Sequence, residues 1–215
     1  MWESLVKDDF IILDIGANAG YYSLIAAAKL RTGQVHAFEP SSPARKEFEK
    51  NISLNGFMNI HVSPLAVTDK KDKLTFFISD PNNIGMSGLK AAENFSGNTE
   101  TVNSISIDEW IRTENILKVN MIKIDIEGAE MKALQGMKEA LRSFQPIIFI
   151  EINTGLLTKY ENSPADIYQL LRSFEYNAYE AVKPNQLKLM NDAKEGDSII
   201  FLPAQYILPK NIRLL

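Results

Sequence analysis

Three stretches of the chain carry residues whose types and spacing could do chemistry. The first is Asp14-Ile15-Gly16-Ala17-Asn18-Ala19-Gly20, between an apolar run and a helical pattern. A glycine-rich turn between strand and helix exposes backbone N–H groups beside a helix N-terminus, where an anionic or electron-rich ligand group is stabilised. The same turn could equally serve backbone geometry alone, since glycine accepts angles other residues avoid. The second is Glu39, about 20 residues beyond the loop, where an acid can hold the two hydroxyls of a ribose. The third is the acidic group Asp125, Glu127 and Glu130, with Glu151 further along.

The surrounding pattern supplies the elements that must position them. Short apolar runs alternate with helical patterns, the signature of a parallel sheet covered by helices on both faces. Strands are expected over residues 10–15, 34–38, within 59–67, 121–126 and 146–152. Helices are expected over 21–30, from Ser42-Pro43 to a stop at Gly56, from 130 to 142, and from Ser163-Pro164 onward with the stripe Ile167, Leu170, Leu171 and Phe174. Residues 176–181 and 198–202 read as a final strand pair, a hairpin. The rhythm breaks after the third strand, where 74–78 reads as an additional strand. Residues 80–100, rich in Asn, Gly and Ser, form a long loop of the kind that is usually functional, here a substrate-side loop. No repeat divides the chain, and its 215 residues fit a single domain, 1–215.

Composition excludes several chemistries. There is no cysteine, so disulfides, zinc–thiolate sites and cysteine nucleophiles are ruled out. Two histidines are too few for a His-rich metal cluster, and His36 and His61 read as core or edge residues. The formal net charge of -4, with no basic stripe carrying interleaved aromatics, argues against a nucleic-acid partner. No apolar run approaches the roughly 20 residues of a membrane span. The first residues lack the basic-then-apolar pattern of a signal peptide, so a cytoplasmic protein is expected.

The loop itself discriminates between ligands. A dinucleotide fingerprint needs glycine at its second and third positions, for the pyrophosphate and for helix packing. Asn18 and Tyr21 stand there instead. S-adenosylmethionine (SAM) has a ribose and an adenine but no pyrophosphate. Its carboxylate suits the helix N-terminus and its ammonium suits an acid such as Asp14. A NAD-dependent oxidoreductase is therefore the disfavoured rival, and a non-catalytic SAM-binding module is another alternative. Three readings of the acidic group stay open. Asp125 or Glu151 takes a proton as general base; the carboxylates hold Mg²⁺; or the acids only bind the cofactor ammonium and cap the helix starting near Glu130. Methyl transfer asks mainly for alignment, which can supply on the order of 7 kcal/mol of the barrier. Lys123, in a central strand, needs a partner for its ammonium. Phe76, Phe77 and Phe95 either line an acceptor pocket or fill the core.

The residues also resemble a family, the FkbM-type methyltransferases. The resemblance rests on the run from Ile12 to Ser23 (Ile-Leu-Asp-Ile-Gly-Ala-Asn-Ala-Gly-Tyr-Tyr-Ser) and on Ala37-Phe38-Glu39-Pro40. It continues through Asn51, Leu54-Asn55-Gly56 and Leu65-Ala66-Val67. It is narrowest in Ile122-Lys123-Ile124-Asp125-Ile126-Glu127-Gly128-Ala129-Glu130. It implies an α/β, Rossmann-like class I methyltransferase fold: a mostly parallel seven-stranded sheet, last strand antiparallel, with helices on both faces. It also implies that Asp14, Gly16 and Gly20 hold the methionine part of SAM, Glu39 the ribose and the surroundings of Ala66 the adenine, with Asp125 near the sulfonium. Asn18, Tyr21 and Pro40 complete the candidate cofactor set; Asp125 and Glu151 are the candidate catalytic residues. The implied acceptor is a hydroxyl of a small metabolite or sugar, with transfer to nitrogen left open. The tail 203–215 packs on the domain or on a second subunit, as in a homodimer.

Overall fold

The computed structural model describes residues 1–79, 87–91 and 95–215, so part of the expected substrate-side loop, 80–86 and 92–94, lies outside the described residues. The first half of the sheet follows the apolar runs: β1 (Ile11–Ile15), β2 (Gln34–Phe38), β3 (Ile60–Ser63), β7 (Met121–Ile124) and β8 (Ile147–Ile152). They lie parallel in the order β3-β2-β1-β7-β8. Alternate residues of each strand face opposite layers. Leu13, Ile15, Ile122, Ile124 and Ile150 pack on one side with Trp110, Leu134, Leu141 and Leu171. Ile12, Met121 and Phe149 pack on the other with Trp2, Leu5, Ala26 and Ala27.

The other half carries the reversals. β11 (Gly196–Pro203) runs antiparallel to β8, and β9 (Tyr176–Lys183) runs antiparallel to β11. These seven strands are the expected sheet, with β11 its antiparallel last member. Two more strands extend its edge: β10 (Gln186–Met190), antiparallel to β9, and β12 (Arg213–Leu214), parallel to β10. The hairpin therefore joins β9 to β10, and not residues 176–181 to 198–202, which pair as neighbours without being a hairpin. The reason is local: Pro184-Asn185, with Asn185 at φ 62, turns the chain immediately after Lys183.

The third apolar run also divides. After β3 the chain passes Pro64 and enters β4 (Ala66–Val67), which pairs with β6 (Asn98–Ile105); β5 (Asp72–Ile78) pairs antiparallel with β6. This second, three-stranded sheet takes up the predicted strand at 74–78 and the end of the predicted loop. Glu100 of β6 accepts hydrogen bonds from the Ser42 N–H (3.2 Å) and the Ser42 hydroxyl, tying the small sheet to the helix α3 (Ser42–Asn55).

The remaining helices flank the large sheet. α1 (Trp2–Leu5) and α2 (Tyr21–Ala27) lie on the Trp2 side. On the other side are α4 (Ile107–Thr113), with Ser106 capping through the Glu109 N–H, α5 (Glu130–Gln135), α6 (Lys138–Phe144), α7 (Thr154–Thr158) and α8 (Pro164–Ser173). The single helix expected over 130–142 breaks at Gly136, where a Cβ would lie 2.2 Å from the Thr68 carbonyl oxygen. At α3 the expected stop holds: Gly56 ends the helix at φ 69, in the left-handed region.

Candidate active site

The carboxyl ends of β1, β2 and β7 open into one cavity of about 610 Å³, part of it open to solvent. Ligands of open α/β sheets sit in this place. Gly16, Asn18, Glu39, Pro40, Ala66, Asp125 and Glu127 line it, with Phe38, Leu65, Val67 and Phe76 as apolar wall.

The glycine loop is pinned at both ends. The N–H groups of Gly16 and Ala17 donate to the Phe38 carbonyl (2.9 and 3.2 Å), fastening the loop to β2. Gly16 has φ +78, and a Cβ there would lie 1.8 Å from the Asp125 carbonyl oxygen, so backbone packs on backbone. Gly20, at φ +89, starts α2, and a Cβ would enter the Phe48 ring at 2.1 Å. Asn18 takes φ 50, a left-handed angle that asparagine tolerates better than most residues.

Glu39 reaches back across this loop. Its Oε2 accepts from the Asn18 N–H and its Oε1 from the Ser41 N–H, both at 2.8 Å. It is 6% exposed. Burial raises its pKa, opposed by those two N–H groups and by Arg45. Each carboxylate oxygen has a further lone pair, so the side chain can be held by the protein and still accept from vicinal hydroxyls.

Asp14 lies behind the wall rather than on it, with no exposure. Its Oδ2 accepts from the Ser23 hydroxyl (2.6 Å), and its Oδ1 is 3.9 Å from the Lys123 ammonium. Lys123 finds its partners here: Asp125 Oδ2 at 3.1 Å, the Gly16 carbonyl at 3.4 Å and the Tyr22 ring at 5.0 Å. Burial alone would lower the lysine's pKa, but Asp14 and Asp125 outweigh it and the net direction is up. The ammonium thus links the glycine loop to the end of β7. Asp14 is raised by burial, with Lys123 and Ser23 opposing.

After β7 the backbone turns sharply through Glu127 (φ 56) and Gly128 (φ 100). Glu130 braces the turn, its Oε1 accepting from the N–H groups of Ile126 (3.2 Å) and Gly128 (3.0 Å). Its other oxygen is buried and, among the described residues, has no hydrogen-bond partner. The Glu127 carboxyl is pushed up to about 7 by burial first, then by the charges of Asp125 and Glu130.

The structure places the remaining candidates apart from this wall. Gly20 sits behind the loop. Tyr21, 69% exposed, lies at the start of α2 beside a second hollow shared with Trp2, Tyr22 and Phe149. Glu151 is in β8; the register pairing Ile124 with Ile150 puts it beside Asp125 in the strand order, outside the lining of the main cavity. His36 stacks on His61 (5.1 Å) and meets the Trp110 ring, and burial lowers its pKa to about 4, the state of a neutral core histidine. Among the described residues no three His, Asp or Glu side chains converge to hold a metal, so the Mg²⁺ reading gains no support. Ser87 and Leu89, within the stretch expected to be substrate-side, and Glu127, named in the acidic group but not among the candidate catalytic residues, also line the cavity.

The chain belongs to the methyltransferase FkbM domain family, whose pattern matches residues 14–178. It is 28% identical over 167 residues to hexuronic acid methyltransferase AglP of Haloferax volcanii, covering 77% of this chain and 62% of that one. It is 25% identical to 2-O-methyltransferase NoeI of Sinorhizobium fredii, covering 80% and 74%. The crystal structure of methyltransferase FkbM from Methylobacillus flagellatus superposes with TM-score 0.61 at 16% identity, over 94% of this chain and 47% of that one. The chain thus spans about three fifths of AglP and about half of the Methylobacillus protein. Among the described residues no helix is long and apolar enough to cross a membrane.

Proposed function

We propose that the protein is a SAM-dependent O-methyltransferase acting on a hydroxyl of a sugar or another small metabolite. One observation carries this reading: Gly16, Asn18, Glu39, Ala66 and Asp125, scattered over 110 positions of sequence, line one cavity. Its chemistry fits the cofactor. Glu39 would take the ribose hydroxyls, the apolar surroundings of Ala66 the adenine, and Gly16 and Asp125 the methionine end. Bound there, SAM supplies an activated methyl group on a sulfonium. The protein's own part is to orient the acceptor, exclude water and receive one proton. Asp14 and Lys123 act through the loop they brace, since neither lines the cavity.

The similarity to AglP, a hexuronic acid methyltransferase, and to NoeI, a 2-O-methyltransferase, supports a sugar hydroxyl as the acceptor class. The reading keeps a cytoplasmic location and leaves nucleic acid out. Calorimetric titration of the full chain with S-adenosylhomocysteine (SAH), with NAD⁺ as comparison, tests it. Binding of SAH alone, followed by transfer of labelled methyl from SAM to a glucuronide, is the expected result. Binding of NAD⁺ instead, or of neither, would overturn it.

A further inference from the structure

We propose that Glu127 is the general base of the transfer, its carboxylate accepting the proton of the acceptor hydroxyl. This rests on the methyltransferase reading above. The step balances simply: the acceptor O–H proton passes to Glu127, the oxygen forms a bond to the methyl carbon, and the S–CH₃ electron pair stays on sulfur.

Three carboxylates line the cavity, and they are not equivalent. Glu39 has both oxygens on backbone N–H groups, and Asp125 is held by the Lys123 ammonium. Among the described residues no donor engages the Glu127 side chain, so its lone pairs are open to a ligand. Its place is also fixed. A glutamate at φ 56 is held in a conformation that costs a non-glycine residue energy and persists only where its surroundings impose it. Here the surroundings are Glu130, which ties the N–H groups on both sides of Glu127. Glu127 further stands where the substrate-side segment arrives. Ser87 and Leu89 line the same cavity, and a Cβ built on Gly88 would lie 3.2 Å from the Glu127 Cβ.

The charged groups around it are Lys123 of β7, Asp125 just after it, Glu130 of α5, and Lys159 after α7, with the Tyr160 phenol nearby. Burial and the two acids outweigh the two lysines and hold Glu127 at about 7. A general base is most effective when poised near the working pH. The sign for stability follows. Between the ordinary glutamate value and about 7 the folded state keeps a proton that the unfolded chain releases, so stability falls as pH rises through that window.

The test is Glu127→Gln in the full chain, which keeps size and removes the base. Three readouts are taken: SAH affinity by calorimetry, transfer from SAM to p-nitrophenyl β-D-glucuronide and β-D-glucoside against pH, and the ligand-free thermal midpoint from pH 5 to pH 8. Expected are SAH affinity within about threefold, kcat lower by about 10²-fold or more with KM little changed, and loss of the rising limb near pH 7. The thermal midpoint of the variant should also lose part of the wild-type decline with pH. Turnover within about fivefold of wild type with the same limb would overturn the proposal, as would SAH binding lost in the variant alone, which would make Glu127 a cofactor contact. If the wild type binds SAH but methylates neither sugar, the thermal readout decides, and an unchanged pH slope in Glu127→Gln overturns the proposal. Failure of the wild type to bind SAH overturns the methyltransferase reading itself, and this proposal with it.

Discussion

Two walls of one cavity are built in opposite ways. In the β1–β2 wall the polar groups that face the cavity are tied to backbone: the Gly16 and Ala17 N–H groups to the Phe38 carbonyl, and both Glu39 oxygens to N–H groups, while behind it Asp14 Oδ1 faces the Lys123 ammonium at 3.9 Å without a hydrogen bond. The rim after β7 concentrates unsatisfied ones: left-handed Glu127, three acids within six positions, and a buried Glu130 oxygen with no described partner. A wall whose lining carboxylate and loop are both fastened to backbone suits a site that must hold a ligand in one pose. A rim of crowded like charge suits proton transfer, because neutralising one acid there is favourable. If one wall holds the cofactor and the other moves the proton, substitutions should tell them apart.

The largest expected effect is on the binding wall. Gly16→Ala puts a Cβ on the Asp125 carbonyl and forces an alanine to φ +78. About 3 kcal/mol or more of stability should be lost, with SAH binding undetectable by calorimetry. Native-like affinity would mean that the loop and β7 are not in register as described. Next comes Asp14→Ala, which removes one of the two acids facing the buried Lys123. A loss of about 3 kcal/mol in urea unfolding is expected, since breaking a buried pair leaves charge uncompensated. A fall in SAH affinity without loss of stability would instead make Asp14 a direct ligand contact. Glu39→Ala should weaken SAH about 100-fold, close to 2.7 kcal/mol, and leave the Asn18 and Ser41 N–H groups unpaired. Unchanged affinity there would take the ribose off this wall.

The same division explains what could be read from sequence. The β1–β2 wall is encoded locally: Gly16 and Glu39 each follow an apolar run, as their residue types suggest, and the Gly56 helix stop is read the same way from its type. The parallel half of the sheet was legible for the same reason, because residues buried on both faces must be apolar throughout. Sequence alone hid the features that depend on distant segments. Gly136 breaks a helix because Thr68, nearly 70 residues earlier, presses on it. The β9–β10 hairpin lies in a polar edge strand with little apolar contrast. In sequence Glu127 is one of a group of acids that could bind the cofactor ammonium or cap the next helix. Only the backbone turn, with the Glu130 brace and the approach of Gly88, turns it into the cavity.

The smallest expected effect tests whether the two walls are separable. Gly88 is described in an ordinary backbone region, bridging to Phe77 by a pair of hydrogen bonds of 2.8 and 3.0 Å. Alanine there brings a methyl to 3.2 Å from the Glu127 Cβ, so one of the two must give by a few tenths of an ångström. The bridge ties segment 87–91 to β5 and Glu130 braces the Glu127 turn, so the two share a small displacement. Gly88→Ala should therefore change stability by no more than about 1 kcal/mol. It should leave SAH affinity unaltered and lower kcat by about tenfold, the cost of a small displacement of a group that must meet the acceptor hydroxyl. Parallel changes in SAH affinity and kcat would show that the rim is part of the binding wall, and the division between holding the cofactor and moving the proton would have to be given up.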